Sequence, residues 1–195
     1  MKPVFIIALV AVAMIGVMVP SVFAELYVSE INDYVIIIDD SWIVEKDLKN
    51  ETMFVHDDSL PVIIYTILYD DNFETMSYTQ YTTQETTIFR KITNILYSNA
   101  SSDYDQKYAD TVVIDGKTAY QVAATYSMLD NPCSAVMTIV PKDDSAWVLF
   151  GLACGDNPTE KISDFQLYSK SFKFDLLEKE RQLELEEKQR KEYQV

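Results

Sequence analysis

Short β-rich apolar runs, broken by acidic turns, dominate the first third of the chain after residue 33. Tyr34–Ile38 (YVIII) and Trp42–Lys46 flank an Asp-Asp-Ser turn; Thr52–His56 and Pro61–Tyr69 (PVIIYTILY) follow. Each has the β-branched and aromatic content of a strand. Asp70-Asp71-Asn72 stops the last of them and can cap a helix. From Phe73 the period changes: Ile88, Phe89, Ile92, Ile95 and Leu96 make an apolar helical stripe, preceded by a Thr-rich half and ended by Asn99–Asp103. Four strands are then predicted in succession. They are Gln106–Ile114, Lys117–Met128, Cys133–Val140 and Ala146–Cys154, with Asp115-Gly116 as a tight hairpin turn in the first pair and PKDDS joining the last. In Lys117–Met128, Thr118, Tyr120, Val122, Ala124, Tyr126 and Met128 share one face. Lys117, Gln121, Thr125 and Ser127 share the other with Ala119 and Ala123, which predicts one buried face and one wet face. Asn157-Pro158-Thr159-Glu160 reads as a capped helix start, with Asn157 as cap and Glu160 reaching back, and Ile162, Phe165, Tyr168 and Phe172 as its inner face. The pattern is that of an α+β domain built on an antiparallel sheet.

The ends of the chain differ from this middle. Met1–Ala24 has Lys2, then an apolar run from Val4 to Val19, then Pro20-Ser21 and small residues at Val22 and Ala24 before Glu25. That is the layout of a secretory signal. The rival is a retained membrane anchor, since continuing through Phe23 approaches the ~20 residues a span needs. Beyond Phe174 the chain is mostly charged and helix-forming, with seven acids and five bases, and Leu176, Leu177, Leu183 and Leu185 are too few for a coiled coil. The expected organisation is therefore 1–24 signal or anchor, 25–174 globular domain and 175–195 charged helical tail. An exported chain sits in an oxidising, extracytoplasmic compartment, secreted or tethered on the outer membrane face.

That compartment changes the reading of the only two cysteines, Cys133 and Cys154. If Lys142–Ser145 closes the last hairpin symmetrically, Cys133 falls opposite Cys154, and directly opposed antiparallel residues are close enough for a disulfide. A disulfide staple is expected, with no chemistry of its own.

Composition removes several functions. One histidine and two cysteines cannot build a His/Cys zinc site, and four scattered glycines make no phosphate-cradling loop. A formal net charge of −15 argues against nucleic acid. Residues 25–174 hold 24 of the 31 acids and 10 of the 16 bases, so the acidity belongs to the globular part. His56, followed by Asp57 and Asp58, could serve as a general base or a metal ligand, but it reads best as a strand end; no nucleophile motif accompanies it, and no catalytic residue is expected. Acidic doublets recur at turns: Asp39-Asp40, Asp57-Asp58, Asp70-Asp71 and Asp143-Asp144. Carboxylates in loops suit Ca²⁺ or Mn²⁺, so the last three doublets are candidate ligands for a weak cation site. Asp also simply favours turns. Asn50-Glu51-Thr52 and Asn99-Ala100-Ser101 are N-glycosylation sequons, making Asn50 and Asn99 candidate acceptors.

Three stretches carry a resemblance. YVIIIDDSWIVEK (Tyr34–Lys46) is similar to the opening strand, acidic turn and Trp of the PsbP family; VIDGKTAYQVAATY (Val113–Tyr126) resembles its central hairpin, and FQLYSKSFKF (Phe165–Phe174) its closing helix. This family comprises extrinsic photosystem II proteins and prokaryotic relatives, with a fold shared by a Ran-binding import factor. The resemblance covers about Val35–Phe174 and implies an α-β-α sandwich, a sheet with helices on both sides. It also implies a non-enzymatic accessory role, in some members linked to calcium or manganese retention. The plant proteins dock through basic N-terminal segments, whereas Glu25–Ile38 has acids and no Lys or Arg, so a photosystem role does not carry over. The expectation is an exported binding module that contacts a protein partner with a basic surface through its acidic face and charged tail. It would touch membrane only through an uncleaved N-terminus. A cation-binding protein is the alternative.

Overall fold

A computed structural model describes residues 24–56, 63–70, 104–128, 130–177 and 179, together with 80, 83 and 87. Two antiparallel sheets carry the chain. In sequence order the strands are β1 (Ala24–Ser29), β2 (Tyr34–Asp39), β3 (Trp42–Leu48), β4 (Glu51–His56), β5 (Ile63–Asp70), β6 (Asp105–Ile114), β7 (Lys117–Met128), β8 (Asn131–Lys142), β9 (Ser145–Cys154) and β10 (Lys173–Phe174). A 3₁₀ turn, Pro158–Lys161, leads into helix α1, Ile162–Ser171. The large sheet has the order β3-β4-β5-β9-β8-β7-β6 and the small one β1-β2-β10. Every strand the periodicity predicts is present among the described residues. The helix expected over Phe73–Leu96 lies outside them apart from Gln80, Thr83 and Thr87, which are helical. The leader up to Phe23, Asp57, Asp58, Asp71, Asn99 and nearly all of the tail also lie outside. No helix among the described residues is long and apolar enough to cross a membrane.

The core explains the layering. On one face of the large sheet, Trp42, Phe54, Tyr65, Ile67, Leu149 and Trp147 meet Tyr34, Ile36 and Ile38 of β2 and Phe165, Tyr168 and Phe172 of the helical arm. The small sheet and α1 thus form one covering layer. They are tied together by the Ser171 hydroxyl, which accepts from the Ile37 N–H at 2.9 Å and donates to the Ile37 carbonyl at 3.1 Å. Gly151, at the middle of β9, lets the Phe165 ring lie directly on the sheet backbone.

Two expectations are corrected here. The second face of β7 is not wet: Ala119, Gln121 and Ala123 are buried, as are Tyr120, Val122 and Ala124 on the opposite side. Gln121 avoids the penalty of an unpaired buried amide by donating to Thr138 Oγ1 at 2.9 Å. The Thr138 hydroxyl in turn donates to Ser169 Oγ at 3.1 Å, and Ser169 to the Phe165 carbonyl at 2.9 Å. The strand is flanked by β6 and β8 and contributes side chains to a packed cluster on each face, and a buried polar chain replaces solvent. Second, Asn157 makes no side-chain cap and Glu160 does not reach back as a capping box. Asn157 instead takes left-handed φ 54°, and its carbonyl accepts the Glu160 N–H at 3.1 Å, starting a 3₁₀ turn with Pro158 in its first positions.

Candidate functional site

The β8–β9 hairpin turns tightly between Lys142 and Ser145, and its register runs unbroken to Cys133 opposite Cys154. Their Cα atoms are 4.0 Å apart and the sulfurs lie at bonding distance, 2.08 Å. The staple joins two central strands at the end of the sheet that also holds His56 and Ile63.

The acidic turns separate. Asp39 and Asp40 sit at that same end, while Asp70, Asp143 and Asp144 lie at the other, since Asp70 pairs with Ala146 beside the Lys142–Ser145 closure. Among the described residues no three His, Cys, Asp or Glu side chains are grouped to hold a metal ion. The backbone supplies a different reason for the acids. Asp33, Asn50, Asp115, Asp130, Asp143, Asn157 and Asp175 all take positive φ, between 48° and 67°. With only four glycines in the chain, Asp and Asn serve as the left-handed turn residues, because their short side chains hydrogen-bond locally.

His56 ends β4 opposite Trp42, its ring edge-on to the indole at 5.3 Å, and its Nε2 lies 2.8 Å from Ser41 Oγ. This pairing of serine and histidine is not legible in the sequence, because Ser41 lies in the turn before β3. Ser41 Oγ lies 2.8 Å from Asp39 Oδ1, and the Ser41 N–H donates there at 3.0 Å. That N–H, foremost, holds the Asp39 carboxyl below its usual range. The Ser41 hydroxyl thus lies between a carboxylate and an imidazole, and the His56 tautomer sets which of the two its single proton faces. The trio ties the β2–β3 turn to the end of β4.

Asn50 occupies the β3–β4 turn at φ 67°. Its N–H donates to Asn32 Oδ1 at 2.7 Å and its carbonyl accepts from Tyr69 at 2.9 Å. The sequon's Thr52 is fully buried and donates to Asp47 Oδ1 at 2.8 Å. Asp47 also receives Tyr27 OH at 2.8 Å and Ser29 Oγ at 3.1 Å, which ties β1 across to the large sheet.

At the Asp143 end, the start of the tail is clamped to the domain. Asp115 accepts the Phe174 N–H at 3.1 Å and pairs with Lys173 and Lys179; Lys142 pairs with Asp175 at 2.5 Å; and Asp33 accepts the Leu177 N–H at 3.1 Å. The strap places Phe174 on Phe172, ring centroids 5.9 Å apart. No residue pattern before Asp115 signals these contacts, because each joins a turn to a segment far along the chain.

Among the described residues, the large sheet's β3 edge carries an extended exposed apolar surface. Ile43 is 53% exposed and Leu48 55%. Both point away from the Phe54 core, and Ile43 lies opposite Val55, which lies opposite Ile64. Half-buried Met53, opposite Lys46, continues the strip between them. Val44 adds 40% exposure on the inner side of the edge. At the other edge, β6 exposes Val113 and Tyr108 among Asp105, Lys107 and Asp110, so its apolar positions are interrupted.

Layer order, topology and the helical arm define an α+β module of the type shared by PsbP and Mog1 proteins. The solution structure of cyanobacterial PsbP (CyanoP) from Synechocystis sp. PCC 6803 superposes with a TM-score of 0.56 at 12% identity, covering 81% of this chain and 96% of that one. The Saccharomyces cerevisiae Ran-binding protein Mog1p superposes with a TM-score of 0.53 at 8% identity, covering 79% and 96%. At these identities the likeness is one of fold. No protein-family profile and no curated protein matches the sequence.

Proposed function

We propose that this protein is an exported, non-enzymatic accessory module that acts by contacting a protein partner from the extracytoplasmic side. The observation that carries the reading is the apolar strip on β3–β4, Ile43 with Val55, Met53 and Leu48, left exposed among the described residues at the edge of a strongly acidic domain. Fold neighbours add support: Mog1p is described as Ran-binding, so this sheet architecture serves protein contact elsewhere. The net charge of −15 favours a partner with a basic surface, whose association should slow as salt rises. The apolar leader and the Cys133–Cys154 pair agree with passage through an oxidising compartment.

The test uses the full chain in its native cell. Fractionation, N-terminal sequencing and thiol alkylation report export, cleavage after Ala24 and the oxidised cysteines, while native electrophoresis reports assembly. Migration above the monomer mass in the extracytoplasmic fraction supports the reading. A reduced, cytoplasmic monomer defeats it.

A further inference from the structure

The free edge of β3 specifies how a partner would bind. Among the described residues β3 pairs with β4 alone and bulges at Glu45, so it offers two short outward-facing stretches, Trp42–Val44 and Lys46–Leu48, with the Leu48 carbonyl already accepting from Asn32 Nδ2 at 2.9 Å. An uncovered strand edge is a template for a further strand: main-chain hydrogen bonds supply affinity, and alternate side chains supply specificity. Here the edge comes with a sheet face on which alternate side chains can rest. Ile43 and Leu48 stand exposed on that face, and Val55 and Met53 lie behind them at cross-strand spacing. The charges beside it are mostly acidic, with exposed Lys49 after Leu48 as the opposing cation. Asp40 and Glu45 are exposed, and among the described residues neither forms an ion pair. Lys46, the cation on the strip, is already committed to Glu51.

From this juxtaposition we infer that β3 receives an extended segment of a partner protein, apolar at alternate positions and basic between them, added to the large sheet by strand pairing. A second copy of this chain is a poor occupant, because subunits that each carry −15 repel one another. The inference rests on the protein-contact reading and deepens it by naming the surface and the chemistry.

The probe is a synthetic peptide alternating Ile or Val with Lys, measured by fluorescence anisotropy against the oxidised full chain. Three companions are run beside it: a scrambled peptide, one with Glu for Lys, and one N-methylated at alternate amides. The expected result is saturable binding by the first peptide alone. It should weaken at least about tenfold in Ile43→Asp and separately in Leu48→Asp, the loss typical of a removed anchor. Leu167→Asp, an equally exposed position on α1, should leave it unchanged. Circular dichroism confirms that each variant is folded. Equal binding by the N-methylated or Glu peptide, or equal affinity in Ile43→Asp, overturns the inference, as does self-association of the chain that Ile43→Asp abolishes. The two readings fail separately. A native assembly that persists in Ile43→Asp leaves the accessory function standing and removes this surface, whereas no assembly in the wild type removes both.

Discussion

Gly151→Ala tests how closely the helical arm sits on the sheet. A Cβ built at Gly151 would lie 2.3 Å from Phe165 Cγ, 2.5 Å from Cδ1 and 2.7 Å from Cδ2. Carbon atoms in good contact are about 3.5–4.0 Å apart, so either the ring or the sheet must give by roughly an ångström. The ring has little freedom. Phe165 is fully buried, and Tyr65 stacks on it at 5.9 Å. α1 is pinned by Ser169 against Thr138, by Ser171 against Ile37 and by Tyr168 OH, which accepts from Trp42 Nε1 at 3.2 Å. Overpacking of this kind costs about 1–3 kcal/mol, offset in part by ~0.5–1 kcal/mol from replacing glycine in the unfolded chain. The expected net loss is about 1.3 kcal/mol, or a fall of about 3–5 °C in Tm for a chain of this size. Thermal and urea unfolding of the oxidised protein measure it. Phe165→Ala alone should cost about 3–5 kcal/mol, but less in the Gly151→Ala background, where the new methyl occupies part of the vacated space. A coupling of about 1 kcal/mol or more between the two is expected. Gly151→Ala within about 0.5 kcal/mol of wild type, or strict additivity in the pair, would refute the close-approach argument.

Reducing the Cys133–Cys154 bridge, which closes a sequence separation of 21, should cost about 3 kcal/mol by the loop-closure relation, read as a lower urea midpoint with dithiothreitol. Asp143→Gly should be neutral or mildly stabilising, while Asp143→Ala should cost about 1 kcal/mol, because the turn needs φ 50° and not a carboxylate. Equal effects of the two on the melt would contradict that account. Asp115→Asn keeps a residue that tolerates φ 48° but removes the charge facing Lys173 and Lys179. Hydrogen exchange at the Phe174 amide should then quicken and lose its salt dependence, with the melt of the sheet little changed. Burial raises the Tyr168 hydroxyl to about 12 and pushes Tyr34 and Tyr65 upward as well. The folded state thus favours neutral phenols. This stability is fully present below the ordinary tyrosine value near 10 and is lost as pH climbs toward and past 12. Tyrosinate absorbance should rise together with unfolding. Titration of these tyrosines well before the fold is lost would contradict the burial.

Much of the architecture is legible because strands announce themselves locally. YVIII, PVIIYTILY and the long run after Asp115-Gly116 have strand composition and turn residues, and turn arithmetic alone sets the β8–β9 register to the residue. The site is less legible. Ser41 reaches His56 only because β3 pairs with β4, and Ile43 reads as one more strand hydrophobe until the sheet order leaves β3 at an edge.

Local sequence therefore determined which segments are strands, where they turn, and that Cys133 faces Cys154. Each of these depends on a few neighbouring residues and a fixed period. Tertiary structure decided which faces are covered, since alternation shows that two faces differ but not whether a second layer arrives to bury the weaker one. Gln121 is internal because β7 lies between β6 and β8, and Thr138 of β8 links its amide to Ser169 of α1. β10 is two residues long and exists as a strand only because β2 offers an edge and Asp115 holds the Phe174 amide. The strip on β3 stays uncovered for the converse reason: among the described residues, no element packs beyond the last strand of the sheet.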